Sequence, residues 1–242
     1  MAIHEECGVF GVIAPAGTTS PLAQTVYVGL MALQHRGQES CGIVVNAQGR
    51  FASHKDLGLV GEVFDRATLA ALPAGQMAIG HVRYGTTGAA SRANCQPIEV
   101  NHRMGRMAIA HNGNLSNAAE LRESLEMDGA IFHATSDTEI IAYLLTRERL
   151  TATSLDESLS RVFPRMEGAY SLVIMSHNKL IAARDAHGFR PLCFGVCPDG
   201  SHVVASETCA LAAVGAAFSR DVEPGEIVVF EQDAGEGAPA GE

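Results

Sequence analysis

The sequence predicts an α+β domain built in layers, and three observations carry that reading. Strand-like apolar runs come first, amphipathic helices occupy the middle, and strand-like runs return at the end. This order suits segregated layers rather than a doubly wound parallel sheet. No repeat and no internal boundary interrupts the 242 residues, a length that can bury one substantial core. Hydrophobic residues make up 47% and charged residues 18%, which places the chain among folded globular proteins.

Taken in order, residues 7–13 read as a buried strand. Ser20-Pro21 reads as a helix start, with Ser at the N-cap and Pro at N1. Leu22, Val26, Leu30 and Leu33 then share one helical face. The polar stretch Gln34-His35-Arg36-Gly37-Gln38-Glu39-Ser40 leads into an apolar strand, 41–45, and Ala47-Gln48-Gly49 turns it into a second, 50–54. Residues 77–84 form the next apolar run, ending in Gly80-His81-Val82-Arg83-Tyr84. The Gly-, Thr-, Ser- and Ala-rich stretch 85–94 suits a mobile loop or lid.

A short strand, 106–111, runs into Asn112-Gly113-Asn114. Asn117 with Glu120 reads as a capping pair for a helix ending at Met127, with Gly129 as its stop. Ser136-Asp137-Thr138-Glu139 is a stronger capping box, and Ser154 with Glu157 repeats the device. Strands follow at 169–175, 180–184, 192–196, 202–205 and 226–230, with a short helix over 206–216. Residues 232–242 offer nothing to pack and read as a frayed tail or a severed linker.

Bulk properties narrow the function. Net charge is −10 with no Lys/Arg cluster, which argues against nucleic-acid and anionic-membrane partners. No apolar run approaches the ~20 residues of a membrane span. The start, Met-Ala-Ile-His-Glu-Glu, is too polar for a signal peptide. Six cysteines in such a chain read as reduced thiols in the cytoplasm. Cys193 and Cys197 have a loose metal-like spacing near His187 and His202, but no second pair completes a zinc set. No metal site is expected.

Four polar positions could carry chemistry, and each has a plainer reading. Cys7 heads the first strand and reads alone as a small buried hydrophobe. Were Met1 to Glu6 removed, it would join a nucleophilic sulfur to an α-amine titrating near ~8, so that nucleophile and base sit on one residue. Arg83 is a rim arginine or a bidentate carboxylate fork. Asn112-Gly113 is a turn or an oxyanion hole. Asp137 complements a helix dipole or a ligand ammonium. An amino acid with a side-chain amide would need one group of each kind.

Five motifs in order extend this: Cys7-Gly8-Val9-Phe10-Gly11, Gln34 to Ser40, Gly80 to Thr86, His111-Asn112-Gly113-Asn114 and Ser136 to Glu139. Together they resemble the glutaminase domain of class II glutamine amidotransferases, which are N-terminal nucleophile hydrolases. The resemblance runs from Cys7 to about Phe230. It implies a four-layer αββα sandwich, with a leader 1–6 lost on maturation and a domain over 7–231. It also implies Cys7 as nucleophile, Asn112 and Gly113 as oxyanion donors, and Arg83 and Asp137 as holders of the glutamine carboxylate and ammonium. Arg36 would help order the site, and Tyr84 and Thr86 would belong to the loop over the substrate.

Gln34-His35-Arg36-Gly37-Gln38, Tyr84, Asp185 to Leu192 and Ala205 to Ala210 are similar to the branch that acts on phosphoribosyl pyrophosphate. That branch implies a phosphoribosyltransferase domain or subunit as ammonia acceptor and a homo-oligomer in the full enzyme. Nothing in the chain looks like that half, so the chain is expected to be a fragment or a stand-alone glutaminase. Glutamine hydrolysis would need no cofactor, and magnesium is expected only with the phosphoribosyltransferase half. A different acceptor (sugar phosphate or aspartate) and a non-catalytic glutamine-binding module remain as alternatives.

Overall fold

Two antiparallel sheets lie face to face with helices on both outer sides. A computed structural model of the chain describes residues 7–85 and 91–232. The expectations for Met1 to Glu6, for Thr86 and for the tail beyond Gln232 concern residues outside those described.

In chain order the described strands are β1 (Gly8–Ile13), β2 (Ser40–Ala47), β3 (Arg50–Leu57), β4 (Met77–Arg83), β5 (Ile98–His102), β6 (Gly105–Leu115), β7 (Gly168–Met175), β8 (Lys179–Arg184), β9 (Cys193–Val196), β10 (His202–Ala205), β11 (Ala217–Asp221) and β12 (Ile227–Glu231). The helices are α1 (Leu22–Ala32), α2 (Val60–Val63), α3 (Arg66–Ala71), α4 (Ala118–Met127), α5 (Asp137–Glu148), α6 (Leu155–Val162) and α7 (Thr208–Ala213). One sheet runs β11-β9-β10-β1-β4-β2-β3 and the other β12-β8-β7-β6-β5. This is the αββα sandwich that the resemblance implied.

Strand side chains alternate between two faces, so each strand feeds two layers. In β1, Phe10 and Val12 pack outward with Val26 and Leu30 of α1, while Val9 and Ile13 face the second sheet. In β6, Met107 and Ile109 meet the helices α4 to α6, while Ala108 and Ala110 face the first sheet. The layer between the sheets therefore holds Val9, Ile13, Val44, Ile79, Ala110, Val173 and Leu180. Gly11 lets the sheets approach there: a Cβ at that position would lie 2.7 Å from Val173 Cγ1 and 3.2 Å from Leu180 Cδ1.

Several local expectations change. Helix α1 starts at Leu22 with no side-chain cap, because the Ser20 backbone pairs with Gly75 instead. Asn117 stands at the N-cap of α4 as expected, but its side chain makes no capping bond. Its amide donates to the Arg165 carbonyl and accepts from the Glu167 amide, tying α4 to the chain before β7. Ser136 does cap α5, but Glu139 accepts from His133 and Ala134 rather than closing a box.

Strand β6 continues past His111 through Leu115, so Asn112-Gly113 is not a turn. Strands β5 and β11 were not foreseen. Every residue of β11 is exposed, which removes the alternation that marks a half-buried strand.

Replacing Gly11 with valine should wedge the sheets apart. Urea denaturation of Gly11→Val is expected to show a stability loss of about 1–3 kcal/mol.

Candidate active site

A cavity of about 370 Å³ opens where β1, β4 and β6 reach the same end of the sandwich. Cys7, Arg83, Tyr84, His111, Gly113 and Asp137 line it, together with Gln96, Asn114, Leu115, Thr135 and Ser136. Alternation places the key side chains. Cys7 continues the Val9–Ile13 face, Arg83 the Met77–Ile79 face, and Asn112 the Ala108–Ala110 face. All three thus project into the space between the sheets.

Cys7 is held at both ends of its backbone by one residue. Its nitrogen donates to the Arg36 carbonyl at 3.1 Å, and its carbonyl accepts from Arg36 Nε at 2.7 Å. Its thiol lies 4.0 Å from the Tyr84 carbonyl. Its φ is +63°, left-handed for a residue with a Cβ, a conformation that costs on the order of 1–2 kcal/mol. Arg36 is fully buried, and Nη1 meets Glu207 at 2.5 Å. Burial pushes the Glu207 carboxyl up, but the bonds from Arg36 and His35 bring it below the usual value. Glu207 lies in the Ala205-to-Ala210 motif, yet nothing in its sequence context reveals that it anchors Arg36.

Arg83 is not a snorkelling rim residue. It is 7% exposed, and its guanidinium pairs with Glu39. Glu39 was not foreseen either, although it belongs to the same polar stretch as Arg36.

Asn112 is fully buried, and neither atom of its amide meets a hydrogen-bond partner among the described residues. Leaving such a group unpaired costs about 1–3 kcal/mol, and Asn112 itself is not among the residues that line the cavity, lying buried beside Gly113, which does. Gly113 has φ +140°, and a Cβ there would lie 2.0 Å from the Ala169 carbonyl oxygen, so the position requires glycine.

Asp137 starts α5 but also faces the cavity. Oδ2 accepts from the Leu115 amide at 2.9 Å, and Oδ1 lies 3.3 Å from His111 Nδ1. Burial pushes its carboxyl up, yet His111 and the Leu115 and Thr138 amides together hold it below the ordinary value. It therefore stays anionic and suits an ammonium. Tyr84 is 39% exposed at the cavity mouth.

Behind the cavity, His81 Nε2 lies 2.9 Å from the His111 carbonyl oxygen. A carbonyl only accepts, so Nε2 carries the proton. This bond joins β4 of one sheet to β6 of the other, next to Asn112.

Cys193 is a core residue beside Ala205, and among the described residues no three His, Cys, Asp or Glu side chains gather as a metal site would need. Nor is any helix among them long and apolar enough to cross a membrane.

A cysteine leading the first strand of an αββα sandwich, sharing a cavity with a glycine of the opposed sheet and with a buried asparagine next to that glycine, is the arrangement of an N-terminal nucleophile hydrolase. More narrowly, the chain belongs to the class II glutamine amidotransferase family, whose domain matches residues 81–213. It is 46% identical to an amidophosphoribosyltransferase of Methanocaldococcus jannaschii, over 92% of this chain and 46% of that protein. It is 47% identical to an amidophosphoribosyltransferase of Rhizobium etli, over 95% of this chain and 45% of that one.

Among solved structures, a glutamine phosphoribosylpyrophosphate amidotransferase from Bacillus subtilis, complexed with ADP and GMP, superposes with a TM-score of 0.83. It is 42% identical, over 93% of this chain and 47% of that chain. The chain thus spans about half the length of the curated relatives it matches.

The buried His81 makes the site acid-sensitive. Burial, reinforced by the nearby His111 ring and opposed by the bond to its carbonyl, pushes the His81 pKa down from 6.5 to about 3. The fold keeps His81 neutral while the unfolded chain takes up a proton. Stability is therefore full above 6.5 and is lost as pH falls from 6.5 towards 3, by at most about 1.4 kcal/mol per pH unit. His81→Gln, which keeps a donor for His111, should flatten that slope in denaturation curves taken between pH 7 and pH 4.

Proposed function

We propose that the chain hydrolyses glutamine to glutamate and ammonia through a thioester on Cys7. The ammonia would pass to a phosphoribosyltransferase domain or subunit that converts phosphoribosyl pyrophosphate to phosphoribosylamine, the first committed step of purine synthesis. One observation carries the reading: Cys7, Arg83, Gly113 and Asp137, from four distant parts of the chain, line a single cavity. The relatives' shared name supports the acceptor.

In this reading the bond before Cys7 is cut and Met1 to Glu6 leave. The freed α-nitrogen is the atom already bonded to the Arg36 carbonyl. Arg83 takes the glutamine carboxylate and Asp137 its ammonium, which puts the side-chain amide between Cys7 and Asn112. The α-amine accepts the thiol proton as Sγ attacks the amide carbon. The oxyanion then accepts hydrogen bonds from Asn112 Nδ2 and the Gly113 amide.

The C–N bond breaks as the α-ammonium returns the proton to the leaving nitrogen, and ammonia departs. Water attacks the thioester, loses its proton to the α-amine, and Sγ leaves as the thiol. The cycle draws on no cofactor, and magnesium would serve only the phosphoribosyltransferase. A cytoplasmic location and a homo-oligomeric full enzyme belong to the same proposal. The six free thiols fit that location.

Intact mass of active protein should show a chain beginning at Cys7. Active protein that retains Met1 to Glu6 would overturn the α-amine as base, and a folded but fully active Cys7→Ala would move the nucleophile elsewhere. Ammonia release that couples to phosphoribosyl pyrophosphate, and not to a sugar phosphate or aspartate, in the full-length enzyme would fix the acceptor.

Asn112→Ala is expected to lower kcat for glutamine hydrolysis by about 100- to 1,000-fold with a much smaller change in KM.

A further inference from the structure

Among the described residues Arg83 is the one arginine or lysine lining the cavity, and its charge is already answered within the chain. Its Nη1 donates to Glu39 Oε1, and both side chains are largely buried, 9% and 17% exposed. Glu39 is anchored from two sides. Its amide donates to the Arg83 carbonyl, and its own carbonyl accepts from the Gly58 amide, both at 2.9 Å. The backbone that carries the carboxylate is thereby stitched to β4, beside Arg83. It also presses on the chain beyond Arg83: a Cβ on Gly85 would lie 1.6 Å from Glu39 Oε2.

A buried guanidinium without a counter-charge is costly, so the pair stabilises the fold before substrate arrives. The same pair works against substrate binding. A glutamine carboxylate brought to Arg83 adds a second anion within a few ångströms of the first, in a poorly solvated space where like charges repel strongly.

We propose that Glu39 is an internal competitor for the substrate carboxylate: it holds Arg83 when glutamine is absent and weakens glutamine binding when it is present. This rests on the reading of Arg83 as carboxylate anchor. Glu39 then sets the glutamine concentration at which the site fills, exchanging affinity for the stability of a charged pocket. The effect is specific to the α-carboxylate. A ligand with a neutral α-carboxamide adds no second anion and does not feel the competition.

The test is steady-state hydrolysis by the mature protein bearing Glu39→Gln, which keeps an acceptor oxygen for Nη1 and removes the charge. KM for glutamine is expected to fall about three- to tenfold, with thermal stability reduced. KM for glutaminamide, the α-carboxamide analogue, should stay within about twofold of the parent protein. Should Glu39→Gln fail to fold, Glu39→Asp keeps the charge but withdraws it by one methylene, and a smaller fall in KM for glutamine is expected.

A KM for glutamine that rises or stays level in the folded variant would overturn the proposal. Arg83→Lys separates the two layers of argument. If it raises KM for glutamine but not for glutaminamide while Glu39→Gln has no effect, the anchor stands and the competitor does not. If it raises neither, the anchor itself is wrong.

Discussion

The contact between the two sheets is the constraint on which the site depends. Cys7 and Arg83 stand on one sheet, at the ends of β1 and β4, and Asn112 and Gly113 stand on the other, in β6. Neither sheet owns a site. Their separation is set by small and branched side chains in the shared layer, by the absence of a side chain at Gly11, and by hydrogen bonds that cross the gap. Asn46 makes that crossing at one end of the sandwich, donating to the Ser176 and His177 carbonyls, and His81 makes it at the cavity end. Both crossings bond a side chain to a backbone carbonyl, so they fix the strand itself and leave the catalytic side chains in place.

Around that frame the charges are arranged in buried pairs. Arg36 with Glu207 and Arg83 with Glu39 each set a guanidinium that faces Cys7 or the cavity against a carboxylate that holds it, and Asp137 is held by the Leu115 amide and lies beside His111 Nδ1. Charged groups held away from bulk water are affordable only if they are answered by a partner, and the proposed zwitterionic ligand would need both signs. The stretch Gln34 to Ser40 supplies two members of these pairs, Arg36 and Glu39, within one turn and the start of β2. Its polar character, awkward for a segment between a helix and a buried strand, is explained by that double duty.

The fold was legible because the strands that build it are mostly half-buried or fully buried, and their apolar runs stand out. Phe10, Val12 and Val26 advertise one layer, and Val9 and Ile79 another. Strands β5 and β11 were not legible: β11 is exposed along its whole length and has no apolar face to display, and β5 offers only Ile98 and Val100 in five residues. Capping residues misled for a related reason. Asn117 and Glu139 have the right spacing for caps, but a short polar side chain bonds whichever backbone group lies nearest, and tertiary contacts decide that.

The sequence singled out Cys7, Arg83, Gly113 and Asp137, which line one cavity, and Asn112, which is buried beside it, because each residue type matches one chemical need. Glu39, Glu207 and His81 were not readable. Their work is to hold another residue, and no spacing in one dimension records a contact made across 44 or 171 positions.

The positive φ of Cys7 has a consequence of timing. A torsion about N–Cα is defined only while a residue precedes it. Under the proposed cut before Cys7, the left-handed constraint would cease to exist rather than relax, and the nitrogen that already donates to the Arg36 carbonyl would be the one set free. Rejoining the two pieces would have to restore both the peptide bond and the twist. Such a cut would behave as a latch that turns one way, and the chain's capacity to act would be dated from that single event rather than adjusted by it.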